Sequence, residues 1–225
     1  LSDNKELKII AFPGLGTDYR VFQYLNCKAD WVHVPWKIPR KKDDLLSYAR
    51  YLIEDIDLGD HYAFVGVSFG GMIASALSRV LSPAFTCIIA SVKSDNEIPK
   101  WFRTCAKLPV WFLPSPVFKP RFFIVKKFLG IGNTKHQEAF RSFYANSPAL
   151  FLKRSMKIIT NGQFYGKPNG PLVHIHGTRD IIFPIEKIEE PVKKVDGTHF
   201  IVVTRAKYIS GIINTEIERV ENQPK

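Results

Sequence analysis

Short apolar runs alternate along the chain with stretches of helical periodicity. Runs with strand character recur at residues 7–12, 31–34, 62–67, 85–90, 172–176 and 190–195. Helical patterns fill the intervals at 18–26, 43–56 and 69–81. Residues 198–219 read as a closing helix, with Ile201, Tyr208, Ile209, Ile212 and Ile213 among its apolar positions. Short strands that are apolar on both sides need cover on both faces, and alternation with helices supplies it. The pattern predicts an α/β fold: three layers, α/β/α, around a mostly parallel sheet.

The alternation breaks once. Between Ser94 and Gly170 no strand pattern occurs, prolines are frequent (Pro99, Pro109, Pro114, Pro116, Pro120), and Trp and Phe are dense. Helical patterns fall at 120–129, 135–144 and 148–160. The strand pattern resumes at Leu172, so 94–170 reads as a helical insertion into a core made of 1–93 and 171–225, and not as an independent domain. At 225 residues the chain suits one domain with a substantial core.

Composition is that of a soluble globular protein, with 45% hydrophobic and 24% charged residues. No apolar run reaches the ~18 residues needed to cross a bilayer. Residues 1–6 lack a signal peptide's apolar region, and the first residue is not Met, which fits a trimmed or processed start. Cys27, Cys87 and Cys105 are odd in number and scattered, a pattern that suits reduced thiols better than a disulfide framework or a CxxC metal site. The expected location is cytoplasmic.

The charge of +11 is unevenly placed. Residues 94–170 hold thirteen Lys and Arg against three acids, or +10 of that total, and the remainder is close to neutral. Three readings are open: a solvated cationic face, a field that steers an anionic substrate or carrier such as a coenzyme A or acyl-carrier-protein thioester, or attraction to anionic lipid surfaces. No recognised nucleic-acid-binding module is present, so nucleic acid is not an expected partner.

The run at 62–67 ends in Gly66-Val67-Ser68-Phe69-Gly70, followed by the spacing of a buried helix. A serine there sits on a sharp strand-to-helix turn with its hydroxyl projecting from the sheet end. Gly66 and Gly70 suit positions where a Cβ would collide across so tight a bend, and the helix dipole favours an anion formed at that hydroxyl. The motif is short enough to arise as a plain glycine-rich turn, so its partners matter. Pro13-Gly14-Leu15-Gly16 follows the first strand, where a glycine turn can aim the Leu15 N–H above Ser68; with the Phe69 N–H it would form an oxyanion hole. That loop lacks the Gly-x-x-x-x-Gly-Lys of a phosphate loop and the third glycine of a dinucleotide fingerprint. His176-Gly177-Thr178-Arg179-Asp180 puts an acid just past a strand end, and Gly197-Thr198-His199-Phe200 puts a histidine between the last strand and the last helix.

These residues, in the chain order Ser68, Asp180, His199, resemble the α/β-hydrolase superfamily, and the resemblance covers nearly all of the chain outside 94–170. It implies Ser68 as nucleophile, His199 as base and Asp180 as the acid that orients it, with no cofactor and no metal. It implies a small-molecule carboxylic ester or thioester cleaved through an acyl-enzyme. Relatives on the same fold include lyases, acyltransferases and carbon–carbon hydrolases, and a binding protein with a vestigial site is a further alternative. Two departures stand out: the oxyanion loop begins Phe-Pro-Gly where many relatives have His-Gly, and the sheet lacks the family's first two strands. In the position of 94–170 the family carries a lid, whose Trp101, Trp111, Phe122 and Phe143 are candidates to line a substrate pocket. Among other polar residues, Asp95 and Glu97 are alternative acids and Asp196 shapes a turn. His174 and His176 share a strand face as core or hydrogen-bonded histidines, with no carboxylate or thiol spaced to complete a metal site.

Overall fold

The computed structural model describes residues 7–132 and 134–222. Residues 1–6 lie outside the described residues. Among the described residues six strands form one sheet: β1 (Lys8–Phe12), β2 (Asp30–His33), β3 (Tyr62–Val67), β4 (Thr86–Ile89), β5 (Leu172–Gly177) and β6 (Lys193–Val195). Their order is β2-β1-β3-β4-β5-β6, and every neighbouring pair runs parallel. Side chains alternate across a strand, and along β1, β3 and β4 both sets are mainly apolar. Leu7, Ile9, Ala11, Ala63, Val65, Cys87, Ile89, Val173 and Ile175 enter one buried cluster; Ile10, Phe12, Phe64 and Ile88 enter the other.

Helices cover both faces. The second cluster is closed by α1 (Leu45–Ile53), capped by the reciprocal Asp44–Ser47 box, and by α2 (Phe69–Leu77), which is buried along its whole length. The first is closed by α7 (Ile201–Thr204) and α8 (Ala206–Glu221). Between β4 and β5 the chain runs through α3 (Lys100–Lys107), α4 (Phe122–Leu129), α5 (Thr134–Ala145) and α6 (Ala149–Asn161). The sequence pattern omitted α3.

Two expected helices differ in form. Residues 18–26 make only a short 3-10 turn, Tyr19–Tyr24: Asp18 accepts the Arg20 N–H, and the chain is already extended at Leu25. The closing helix is broken at Arg205 (φ −126°, ψ 25°), whose guanidinium reaches back to the Asp196 carbonyl at 2.7 Å. No helix among the described residues is long and apolar enough to cross a membrane.

Candidate active site

Because all six strands point the same way, the segments leaving β1, β3, β5 and β6 emerge at one edge of the sheet. Ser68 follows β3 directly, at φ 53° and ψ −117°, and N-caps α2. That left-handed backbone is rare for a residue with a side chain. Surroundings hold it there: its N–H donates to the Ile89 carbonyl (2.9 Å), and its carbonyl accepts from Ser91 Oγ (2.6 Å) and from the N–H groups of Gly71 and Met72. A Cβ on Gly66 would run into the Gly70 backbone, and one on Gly70 into the Phe12 and Pro13 carbonyls. Only glycine allows helix and strands to approach so closely.

His199, on the loop between β6 and α7, places Nε2 2.8 Å from Ser68 Oγ. Its Nδ1 lies 2.7 Å from Asp180 Oδ2. The other carboxylate oxygen accepts the N–H groups of Ile182 (2.8 Å) and Phe183 (3.0 Å). Burial pushes the Asp180 carboxyl up, but the neighbouring His199 and His176 and the Phe183 N–H outweigh it and hold the group below its ordinary value. Since a carboxylate only accepts, Nδ1 of His199 carries the proton and Nε2 faces the serine as acceptor.

A second tier lies behind Asp180. His176 Nε2 is 2.8 Å from the Phe183 carbonyl and 3.4 Å from Asp180 Oδ2, and its Nδ1 is 3.2 Å from His174 Nε2. His174 Nε2 also lies 3.0 Å from the Ser91 carbonyl, and Lys93 Nζ lies 3.2 Å from His174 Nδ1. Carbonyls only accept and ammonium only donates, so both imidazoles are neutral with their protons on Nε2. Lys93 is tied in turn to the fully buried Glu97 (2.6 Å), which also accepts the N–H groups of Lys93 and Glu189. A continuous polar chain therefore runs from Glu97 to Ser68.

The Pro13-Gly14-Leu15-Gly16 turn lies against Ser68: a Cβ on Gly14 would sit 3.6 Å from Ser68 Cβ. Among the described residues, neither the Leu15 nor the Phe69 N–H donates to a backbone carbonyl. Both residues share the wall of a cavity of about 340 Å³ with Ser68 and His199. The rest of that wall is almost wholly apolar, including Phe102, Phe118, Phe128, Leu152 and Met156.

Of the four aromatic candidates, Trp101 lines this cavity. Trp111 instead stacks on Phe118 (5.4 Å) and donates its indole N–H to the Ala106 carbonyl. Phe122 packs against Phe140 in the core (6.0 Å), and Phe143 lies beneath the Arg20 guanidinium (4.2 Å) beside a separate cavity of about 320 Å³. Asp95 accepts the Gln163 N–H, and Asp196 pairs with Arg179 and Arg205, so neither orients His199. Sequence reasoning missed Lys93 and the link of His174 and His176 to Asp180; the only signal was the His-x-His spacing on a buried strand. No group of three or more His, Cys, Asp or Glu among the described residues is placed to hold a metal ion.

No family model and no curated protein matches the chain. Solved structures match it closely in shape. An esterase from Thermogutta terrifontis superposes with a TM-score of 0.68 at 14% identity, covering 96% of this chain and 91% of that one. The enol-lactonase from Burkholderia xenovorans gives 0.69 at 12% identity, with 95% and 92% covered. RedJ, the thioesterase from the prodiginine biosynthetic pathway in Streptomyces coelicolor, gives 0.62 at 16% identity, with 93% and 86% covered.

Proposed function

We propose that this chain, which has the α/β-hydrolase fold, is a serine hydrolase that cleaves a carboxylic ester or thioester through an acyl-enzyme on Ser68. The observation that carries the reading is the unbroken chain Ser68 Oγ–His199 Nε2 (2.8 Å) and His199 Nδ1–Asp180 Oδ2 (2.7 Å) on a strained turn that exposes the hydroxyl.

A serine hydroxyl is a weak nucleophile until a base takes its proton as attack proceeds. His199 accepts that proton at Nε2 while Oγ bonds to the acyl carbon. The carbonyl oxygen becomes an oxyanion, held by the Leu15 and Phe69 N–H groups; one such donor is worth about 3–4 kcal/mol in the transition state. His199 then gives the proton to the departing alcohol or thiol. Water repeats the cycle on the acyl-enzyme, with His199 again taking a proton, and frees the acid. Asp180 stays ionised, keeps the Nδ1–H tautomer and stabilises the imidazolium. The segment 94–170 acts as the lid, and the apolar cavity takes the acyl group.

Turnover of matched acyl-chain series of p-nitrophenyl esters and coenzyme A thioesters tests this reading. Wild-type protein should hydrolyse at least one series, and Ser68→Ala should fall to the rate of buffer alone. Equal rates for the two proteins would sink it.

A further inference from the structure

We propose that the outer face formed by α3, α4 and the segment joining them is a docking surface for an anionic lipid bilayer. The first observation is apolar surface left uncovered. Between Lys100 and Gly130 no residue is buried. Eight of the seventeen exposed large apolar side chains of the described residues fall there, with Phe112 91%, Val117 59% and Phe123 58% exposed. Isolated exposed apolar residues are ordinary, but eight within one unburied stretch of chain mark an interaction surface.

The second observation is charge. From residue 98 to 137 the chain holds eight Lys and Arg and no Asp or Glu. On α3, Lys100, Arg103 and Lys107 recur at helical spacing and are all exposed. On α4, exposed Lys127 sits beside exposed Phe123, Ile124 and Phe128, while Phe122, Val125 and Leu129 pack inward. Among the described side chains, where these cations find hydrogen-bond partners, those are oxygens without charge: Arg103 on the Asp95 carbonyl, Lys119 on the Ala145 and Ser147 carbonyls, Lys126 on Gln137 Oε1.

The two observations select the occupant. A second copy would bring the same cationic face and be repelled. An acidic protein answers the charge but leaves Phe112 and Val117 without a need. An anionic bilayer answers both, with headgroups for Lys and Arg and the headgroup–acyl boundary for the aromatics. The surface is also continuous with the site: Trp101, Ile124 and Phe128 are exposed and at the same time line the cavity that holds Ser68. Docking therefore sets the cavity mouth against lipid, so that an acyl substrate passes from the bilayer without crossing water.

Cosedimentation of the full chain with phosphatidylcholine vesicles, and with vesicles that also carry phosphatidylglycerol, tests this directly. Binding should appear on the anionic vesicles and weaken as salt is raised. Lys107→Glu and Lys127→Glu should each weaken it roughly fivefold or more. Phe112→Ser combined with Val117→Ser should also weaken it, while turnover of a short water-soluble ester stays at the wild-type rate, which shows an intact fold. Ser68→Ala should bind vesicles like wild type, so docking and hydrolysis are separable. Absence of vesicle binding, equal binding to neutral and anionic vesicles, or variants that bind unchanged would overturn the proposal. Tight, salt-sensitive capture of an acidic acyl carrier protein by a chain that ignores vesicles would also overturn it and give the surface to the carrier.

Discussion

The pair His174–His176 makes stability depend on pH in a way that can be worked through. His174 is 2% exposed and His176 fully buried. Burial first, then the neighbouring His176 and Lys93, push His174 well below its ordinary 6.5, against a smaller opposite effect of the Ser91 carbonyl. Burial lowers His176 as well, although the Asp180 carboxylate and the Phe183 carbonyl oppose it. The unfolded chain takes up a proton at each histidine below about pH 6.5, and the folded chain does so only at lower pH, His174 most of all. The native state thus binds fewer protons, and stability falls as pH falls. For a histidine that stays neutral, the loss is RT ln(1 + 10^(6.5 − pH)): about 0.06 kcal/mol at about pH 7.5 and about 1.4 kcal/mol at about pH 5.5. His174 alone should lower Tm by about 3–5 °C across that interval, and His176 adds in the same direction. Thermal melts of wild type and His174→Gln check this. The variant should be less stable near neutrality, because Lys93 and the Ser91 carbonyl lose their partner, yet its Tm should vary less with pH. A His174→Gln slope equal to that of wild type would refute the neutral-histidine assignment.

Asp180→Asn should lower kcat by about 10⁴-fold with little change in KM, because an amide NH₂ would drive the imidazole into the wrong tautomer; steady-state kinetics on the best ester substrate checks it. Gly70→Ala would push a methyl into the Phe12 and Pro13 carbonyls, so it should cost about 3 kcal/mol or more, read as a lowered Tm. Met156→Trp, at a half-exposed position in the cavity wall, should reduce turnover of long-chain esters at least tenfold relative to short ones, since a larger ring occupies acyl space. Chain-length profiles that coincide for the two proteins would place the acyl group elsewhere.

The sheet was legible because each strand is a local apolar run, and the parallel order followed from the helices between the runs. Ser68, Asp180 and His199 were legible as residues at strand ends, but their mutual distances depend on the register of β3, β5 and β6, which no local pattern carries. The second tier shows the same limit more sharply. Lys93 and His174 are 81 positions apart and meet only because β4 pairs with β5, with Ile88 opposite His174. In the insertion, composition revealed abundant aromatics but not their faces. Trp101 turns to the cavity, whereas Phe122 and Phe143 turn to the core, and Trp111 stacks on its neighbour Phe118. Residues 18–26 read as a helix by periodicity, yet Asp18 capping favoured a tighter turn.

The central claim, that His199 activates Ser68 as a nucleophile, is tested most directly by a fluorophosphonate probe followed by peptide mapping. A single adduct on Ser68 is predicted, absent in Ser68→Ala and strongly slowed in His199→Ala. Undiminished labelling of Ser68→Ala, or no labelling of a wild-type protein that melts cooperatively, would contradict it.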